Sequence, residues 1–134
     1  MKEIKNHKLT ESYVSVELAK KLKKAGFREY CRRYIDIDKY GVTSGFALEN
    51  DFNNKEDRTY SQPTIDLVLK WLREVHFIHV FVDSVSDKAK NLWKFEVKPI
   101  VGNSHSFTLL SAPMYDSWEK AMEEGILKAL ENIK

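Results

Sequence analysis

Residues 62–82 read QPTIDLVLKWLREVHFIHVFV, and within this stretch one periodicity gives way to another. Ile65, Val68, Leu69, Leu72 and Val75 recur at the three- and four-residue spacing of a helix with one apolar face. Beyond His76 the period becomes two. Ile78, Val80 and Val82 share one side of a strand, and Phe77, His79 and Phe81 the other. No glycine or proline separates the patterns, so the helix must fold back over its own strand almost at once. Pro63 suits the first turn, where its missing amide hydrogen would have no partner, and the spacing predicts a helix over 63–76. This unit sits at the centre of the chain and fixes an α/β core.

Downstream, Ser84 to Asn91 reads as a turn. Trp93, Phe95 and Val97 then alternate with Lys94, Glu96 and Lys98, the pattern of a half-buried antiparallel strand. Phe107 to Leu110 is a short final strand. A last helix starts at Asp116 or Ser117 and carries Ala121, Met122, Gly125, Ile126, Ala129, Leu130 and Ile133 at helical spacing. Gly125 on that apolar stripe implies close approach of helix and sheet.

Upstream, Asn50 to Gln62 is polar and aperiodic, and predicts a long mobile loop. Tyr30 to Asp38 reads as a strand, and Val42 to Leu48 as a weaker one after the turn at Lys39-Tyr40-Gly41. A first helix opens at Ser15, with Leu18, Ala19, Leu22 and Ala25 as its stripe. Gly26 suits the left-handed residue that ends helices, with Phe27 covering Leu22. Residues 1–12 read as a polar arm. The order α-β-(β)-α-β-β-β-α predicts one α+β domain over 1–134, an antiparallel sheet of three to five strands with its helices mainly on one face.

Cys31 is the single cysteine, which excludes an intramolecular disulfide and a cysteine-built zinc site. No apolar run approaches the roughly 20 residues that span a bilayer, and Met1 to Thr10 lacks the apolar core of a signal peptide. The expected compartment is a reducing cytoplasm. The net charge of +2 conceals an asymmetry: Met1 to Arg33 holds ten Lys or Arg against four Glu, so the remainder is net acidic.

Three motifs carry a family resemblance. They are Pro63-Thr64 followed by Lys70-Trp71-Leu72-Arg73-Glu74-Val75-His76; Tyr115, Ser117, Trp118, Glu119, Ala121, Gly125 and Ala129-Leu130; and Ala25-Gly26-Phe27. Together they resemble a family of small uncharacterised proteins of bacterial phages and prophages. The sequence departs from that pattern at Lys120, where the family carries an acidic residue, and at Phe77, where it carries glycine. The resemblance implies a phage-derived cytoplasmic protein and transfers no catalytic residues.

The chemistry-bearing residues divide as follows. His76 and His79, with Asp83, invite a metal reading, but the period changes between the histidines and a strand would send them to opposite sides. Asp36, Asp38 and Asp83 would form a carboxylate pair only if their strands were neighbours; general acid–base work needs such proximity. With His79, Asp36 and Asp83 give the least unfavourable hydrolase constellation. Cys31 with His105 is the one cysteine–histidine pairing, against which stands the packing role usual for a lone cysteine. Gly41-Val42-Thr43-Ser44-Gly45 lacks the Gly-Lys-Ser/Thr ending of a phosphate loop.

The basic set Lys20, Lys21, Lys23, Lys24, Arg28, Arg32 and Arg33 points to a partner. Clustered cations displace counterions from a phosphate backbone, and Tyr30 and Tyr34 lie close enough in sequence to stack on bases. The alternative is a solvated helix face whose lysines favour the carboxyl end of the macrodipole. Trp71 and Trp118 are candidate anchors for a protein partner or a second copy. No cofactor, metal or membrane is called for. The sequence supports a non-enzymatic accessory protein with weak nucleic-acid affinity, or else a homo-oligomeric or protein-partner module.

Overall fold

A computed structural model describes residues 11–46, 58–87, 90–100 and 108–133. The chain is α+β: helices α1 (Val16–Lys24), α2 (Ile65–Val75) and α3 (Trp118–Leu130), with strands β1 (Arg33–Asp38), β2 (Gly41–Phe46), β3 (Thr59–Ser61), β4 (Ile78–Asp87), β5 (Lys90–Pro99) and β6 (Leu109–Leu110). The strands form two antiparallel sheets of three, ordered β2-β1-β3 and β4-β5-β6, rather than one layer. β3 falls inside the segment expected to be a loop. It is short and polar, and pairing with β1 creates it: Ile35 opposes Tyr60. Residues 50–57 of that expected loop, like residues 1–10 of the expected arm, lie outside the described residues.

Each helix end follows local chemistry. The Ser15 hydroxyl accepts from the Leu18 amide at 3.1 Å. At the other end Gly26 has φ 94°, and its amide donates to the Lys23 carbonyl while that of Phe27 donates to Leu22. This is the Schellman pattern expected from Ala25-Gly26-Phe27, and it leaves the Phe27 ring fully buried. In α2 the cap is Thr64, which accepts from Leu67 at 3.2 Å. Pro63 therefore lies outside the helix. Its carbonyl accepts from Val14, and the Ile65 amide donates to Ser12, so the leaders into α1 and α2 are zipped together. Ser12, assigned to the arm by sequence, is part of the fold.

The α2–β4 junction turns on one residue. His76 closes the helix, and Phe77 enters the left-handed region at φ 56°, a conformation that glycine takes without strain. β4 then runs to Asp87, and the expected turn over 84–91 is mostly strand, Ser86 opposing Asn91.

One core joins both sheets. Ile78, Val80, Phe95 and Val97 face α3's Met122, Ile126 and Ala129, while Leu18, Leu22, Ile35, Val68 and Leu72 complete the interior. A Cβ built on Gly125 would lie 2.9 Å from Val80 Cγ1 and 3.0 Å from Phe95 Cβ. The glycine is what lets α3 settle on the β4–β5 hairpin. α1 is stapled to α3 by Glu123, whose carboxylate accepts from the Ser15 amide at 3.1 Å and also from its hydroxyl.

Candidate functional site

The hydrolase and metal constellations are not assembled. Asp36 sits on β1 and Asp83 on β4, in separate sheets. Asp36 pairs with Arg58 at 2.9 Å, and Asp38 accepts from the Tyr40 amide in the β1–β2 turn at 2.8 Å. Asp83 lies opposite Lys94. His76 caps α2 with its ring 4.6 Å from that of Trp71, whereas His79 lies beside Phe81 on the outer side of β4. Burial lowers the pKa of both imidazoles; at His79 the cations of Lys98 and Arg73 add to it. Among the described residues no three His, Cys, Asp or Glu side chains could hold a metal ion.

Cys31 is buried, and burial pushes its thiol up despite opposing hydrogen bonds from Ser61 and from the backbone of Gln62 and Arg33. A raised pKa suppresses the thiolate, the opposite of what a nucleophile needs. Its proposed partner His105 lies outside the described residues. Gly41–Gly45 forms β2, an edge strand rather than a loop.

The basic set separates into two groups. Lys20, Lys21, Lys24, Arg28 and Arg32 are exposed. Lys23 is not available in the same way: its ammonium donates to the Thr59 carbonyl at 2.7 Å and lies 4.7 Å over the Tyr60 ring. Lys21 and Lys24 border a groove of about 630 Å³ between α1 and α3, facing Glu124 and Glu131. The local field there is mixed. No helix among the described residues is long and apolar enough to cross a membrane.

Arg33 is half-buried and fully built in. Its Nε donates to Gln62 Oε1 at 2.7 Å and its Nη2 to Ser44 Oγ at 3.2 Å. Gln62 is itself held, donating through Nε2 to the Val14 carbonyl at 2.8 Å. The guanidinium carbon lies 4.9 Å from the Tyr13 ring centre and 5.1 Å from that of Phe46, within cation–π range of both. The two rings are 6.3 Å apart and meet edge to face at 74°. Tyr30 and Arg32 complete the wall of an open cleft of about 420 Å³, with Glu11 also lining it.

Sequence reasoning singled out Tyr30, Arg32 and Arg33, and the fold brings these together. It misplaced Tyr34. Period two sends Tyr34 to the opposite side of β1 from Arg33, where its ring lies so close to Gly45 that a Cβ there would meet the hydroxyl at 2.9 Å. Tyr13, Phe46 and Gln62 were missed. The turn at Lys39-Tyr40 held the signal for one of them: with Asp38 opposite Gly41, antiparallel pairing places Phe46 opposite Arg33.

The tryptophans also part company. Trp71 is 5% exposed, wedged against Phe27 at 5.2 Å between ring centres, and is a core residue that no docked partner could reach. Its burial weighs against the expected role as an anchor. Trp118 opens α3, half-buried against the core. Comparison with protein-family models, curated proteins and solved structures finds no match to this chain.

Proposed function

We propose that this protein is a non-enzymatic accessory protein, of phage origin as the sequence resemblance implies, that binds nucleic acid through its basic amino-terminal face. The observation that carries the reading is the exposure of Lys20, Lys21, Lys24, Arg28 and Arg32, none of which forms an ion pair among the described residues. Unpaired exposed cations can exchange solvent counterions for phosphates with little reorganisation. The scattered positions of Asp36, Asp83 and His79 weigh against hydrolysis. The test is a fluorescence-anisotropy titration of a labelled oligonucleotide at two salt concentrations. If three phosphates are contacted, affinity falls by about 20- to 40-fold between 50 and 200 mM salt. Absence of binding at the lower salt, or an affinity indifferent to salt, refutes the proposal.

One observation favours a second reading, self-association. β2 has only β1 as a sheet neighbour among the described residues, and Val42 and Phe46 on it are 52% and 54% exposed. Exposed edge strands offer unpaired backbone groups to another chain. A dimer by light scattering that Val42→Lys dissociates would favour this reading over the first.

A further inference from the structure

We infer that the cleft beside Arg33 is a nucleobase-stacking site, so that the protein takes single-stranded nucleic acid in preference to duplex. The inference rests on the nucleic-acid reading above and adds the form of polymer recognised. Single strands expose the faces of their bases, and sites for them combine aromatic platforms with cations along the backbone path. Duplexes hide those faces and offer mainly phosphate.

The cleft has both components. Phe46 is 54% and Tyr30 55% exposed, an unfavourable disposition for large apolar rings unless something covers them. Phe46 is also positioned before any ligand arrives. Arg33 lies against it and against Tyr13, and the chain of hydrogen bonds from Ser44 through Arg33 and Gln62 to the Val14 carbonyl fixes that guanidinium. Preorganisation of this kind reduces the entropy lost on binding. Arg33 has spent Nε and one Nη2 hydrogen on these contacts, so its role is to position the rings and supply positive potential. The exposed Arg32 beside it is the phosphate contact. Glu11 at the cleft opposes phosphate, and its removal should tighten binding.

The test compares a labelled oligothymidylate and an oligouridylate with a hairpin duplex of equal length, at low salt. Single strands of either sugar should bind at least about tenfold more tightly than the duplex. Phe46→Ala should weaken single-strand binding at least about fivefold, the lower end for one stacked base, while leaving duplex binding and the salt slope unchanged. Tyr30→Ala provides a second variant remote from the hydrogen-bond chain, and thermal melting confirms that each variant is folded. Lys20→Ala with Lys24→Ala should instead weaken both forms and flatten the salt slope. Glu11→Gln should strengthen single-strand binding. Equal affinity for both forms with Phe46→Ala and Tyr30→Ala silent overturns the stacking site but leaves polyanion binding standing. Polyglutamate competing as well as the oligonucleotide also overturns it, because charge alone would then suffice. No binding to either form refutes both readings.

Discussion

At Gly125 α3 approaches the β4–β5 hairpin too closely to leave room for a Cβ, and Gly125→Ala tests that geometry. An alanine in mid-helix gains about 1 kcal/mol in propensity over glycine. Opposing this, the new Cβ would stand 2.9 Å from Val80 Cγ1 and 3.0 Å from Phe95 Cβ. Phe95 Cβ is fixed to its strand backbone and cannot rotate away, and both residues are at most 5% exposed. Overpacking of this kind costs about 1–3 kcal/mol, and two rigid contacts place it in the upper part of that range. The net expectation is a loss of about 1–2 kcal/mol, or about 3–6 °C in Tm for a domain of this size. Urea unfolding followed by tryptophan fluorescence, with calorimetry alongside, measures it. Val80→Ala removes the Cγ1 methyl, so the double variant Val80→Ala/Gly125→Ala should lose less than the sum of the singles. A Gly125→Ala protein as stable as the parent, or strict additivity in the double variant, would refute the packing argument.

Glu123→Ala should cost about 1–3 kcal/mol, because the half-buried Ser15 amide and hydroxyl lose their acceptor and α1 loses its tie to α3; chemical denaturation reads it. Phe77→Gly should change stability by less than about 1 kcal/mol, since relief of its left-handed strain offsets the lost ring contacts, whereas Phe27→Ala should cost about 3–5 kcal/mol. For His76 and His79, whose pKa values burial lowers, the unfolded chain binds more protons than the folded one just below the ordinary histidine range. Their contribution is therefore complete above pH 6.5 and lost as the pH falls, so Tm should decline on acidification and the decline should shrink in a His76→Gln/His79→Gln protein. Cys31, buried with its thiol pushed up, should react with a maleimide at least about tenfold faster in denaturant than in the native state; equal rates would contradict its placement.

Local chemistry made much of this fold legible. The Ser15 cap, the Gly26 C-terminus and the helix-to-strand switch at His76 each depend on a few neighbouring residues, so the sequence carries them, and it narrows the start of α3 to Asp116 or Ser117, of which Ser117 is the cap. β3 was illegible because Thr59–Ser61 has no period of its own and is strand only through its pairing with β1. The division into two sheets was hidden for a related reason: alternation assigns faces to a strand but says nothing about which strand lies beside it. Trp71 shows the limit within a helix. Its spacing places it near the apolar stripe, but its burial depends on rings from outside the helix, Phe27 from the end of α1 and His76 at the α2 cap.

The candidate site divides in the same way. The sequence alone determined that cations cluster between Met1 and Arg33 with tyrosines beside them, that one cysteine rules out an intramolecular disulfide, and that helices and strands follow an α+β order. Only tertiary structure decided which cations remain exposed, that Arg33 is locked between Tyr13 and Phe46, and that the Tyr34 ring packs over Gly45. The physical reason is range. Caps, turns and periodicity are set by groups within about four residues of one another, whereas the cleft is assembled from four chain segments whose meeting depends on the packing of the whole core.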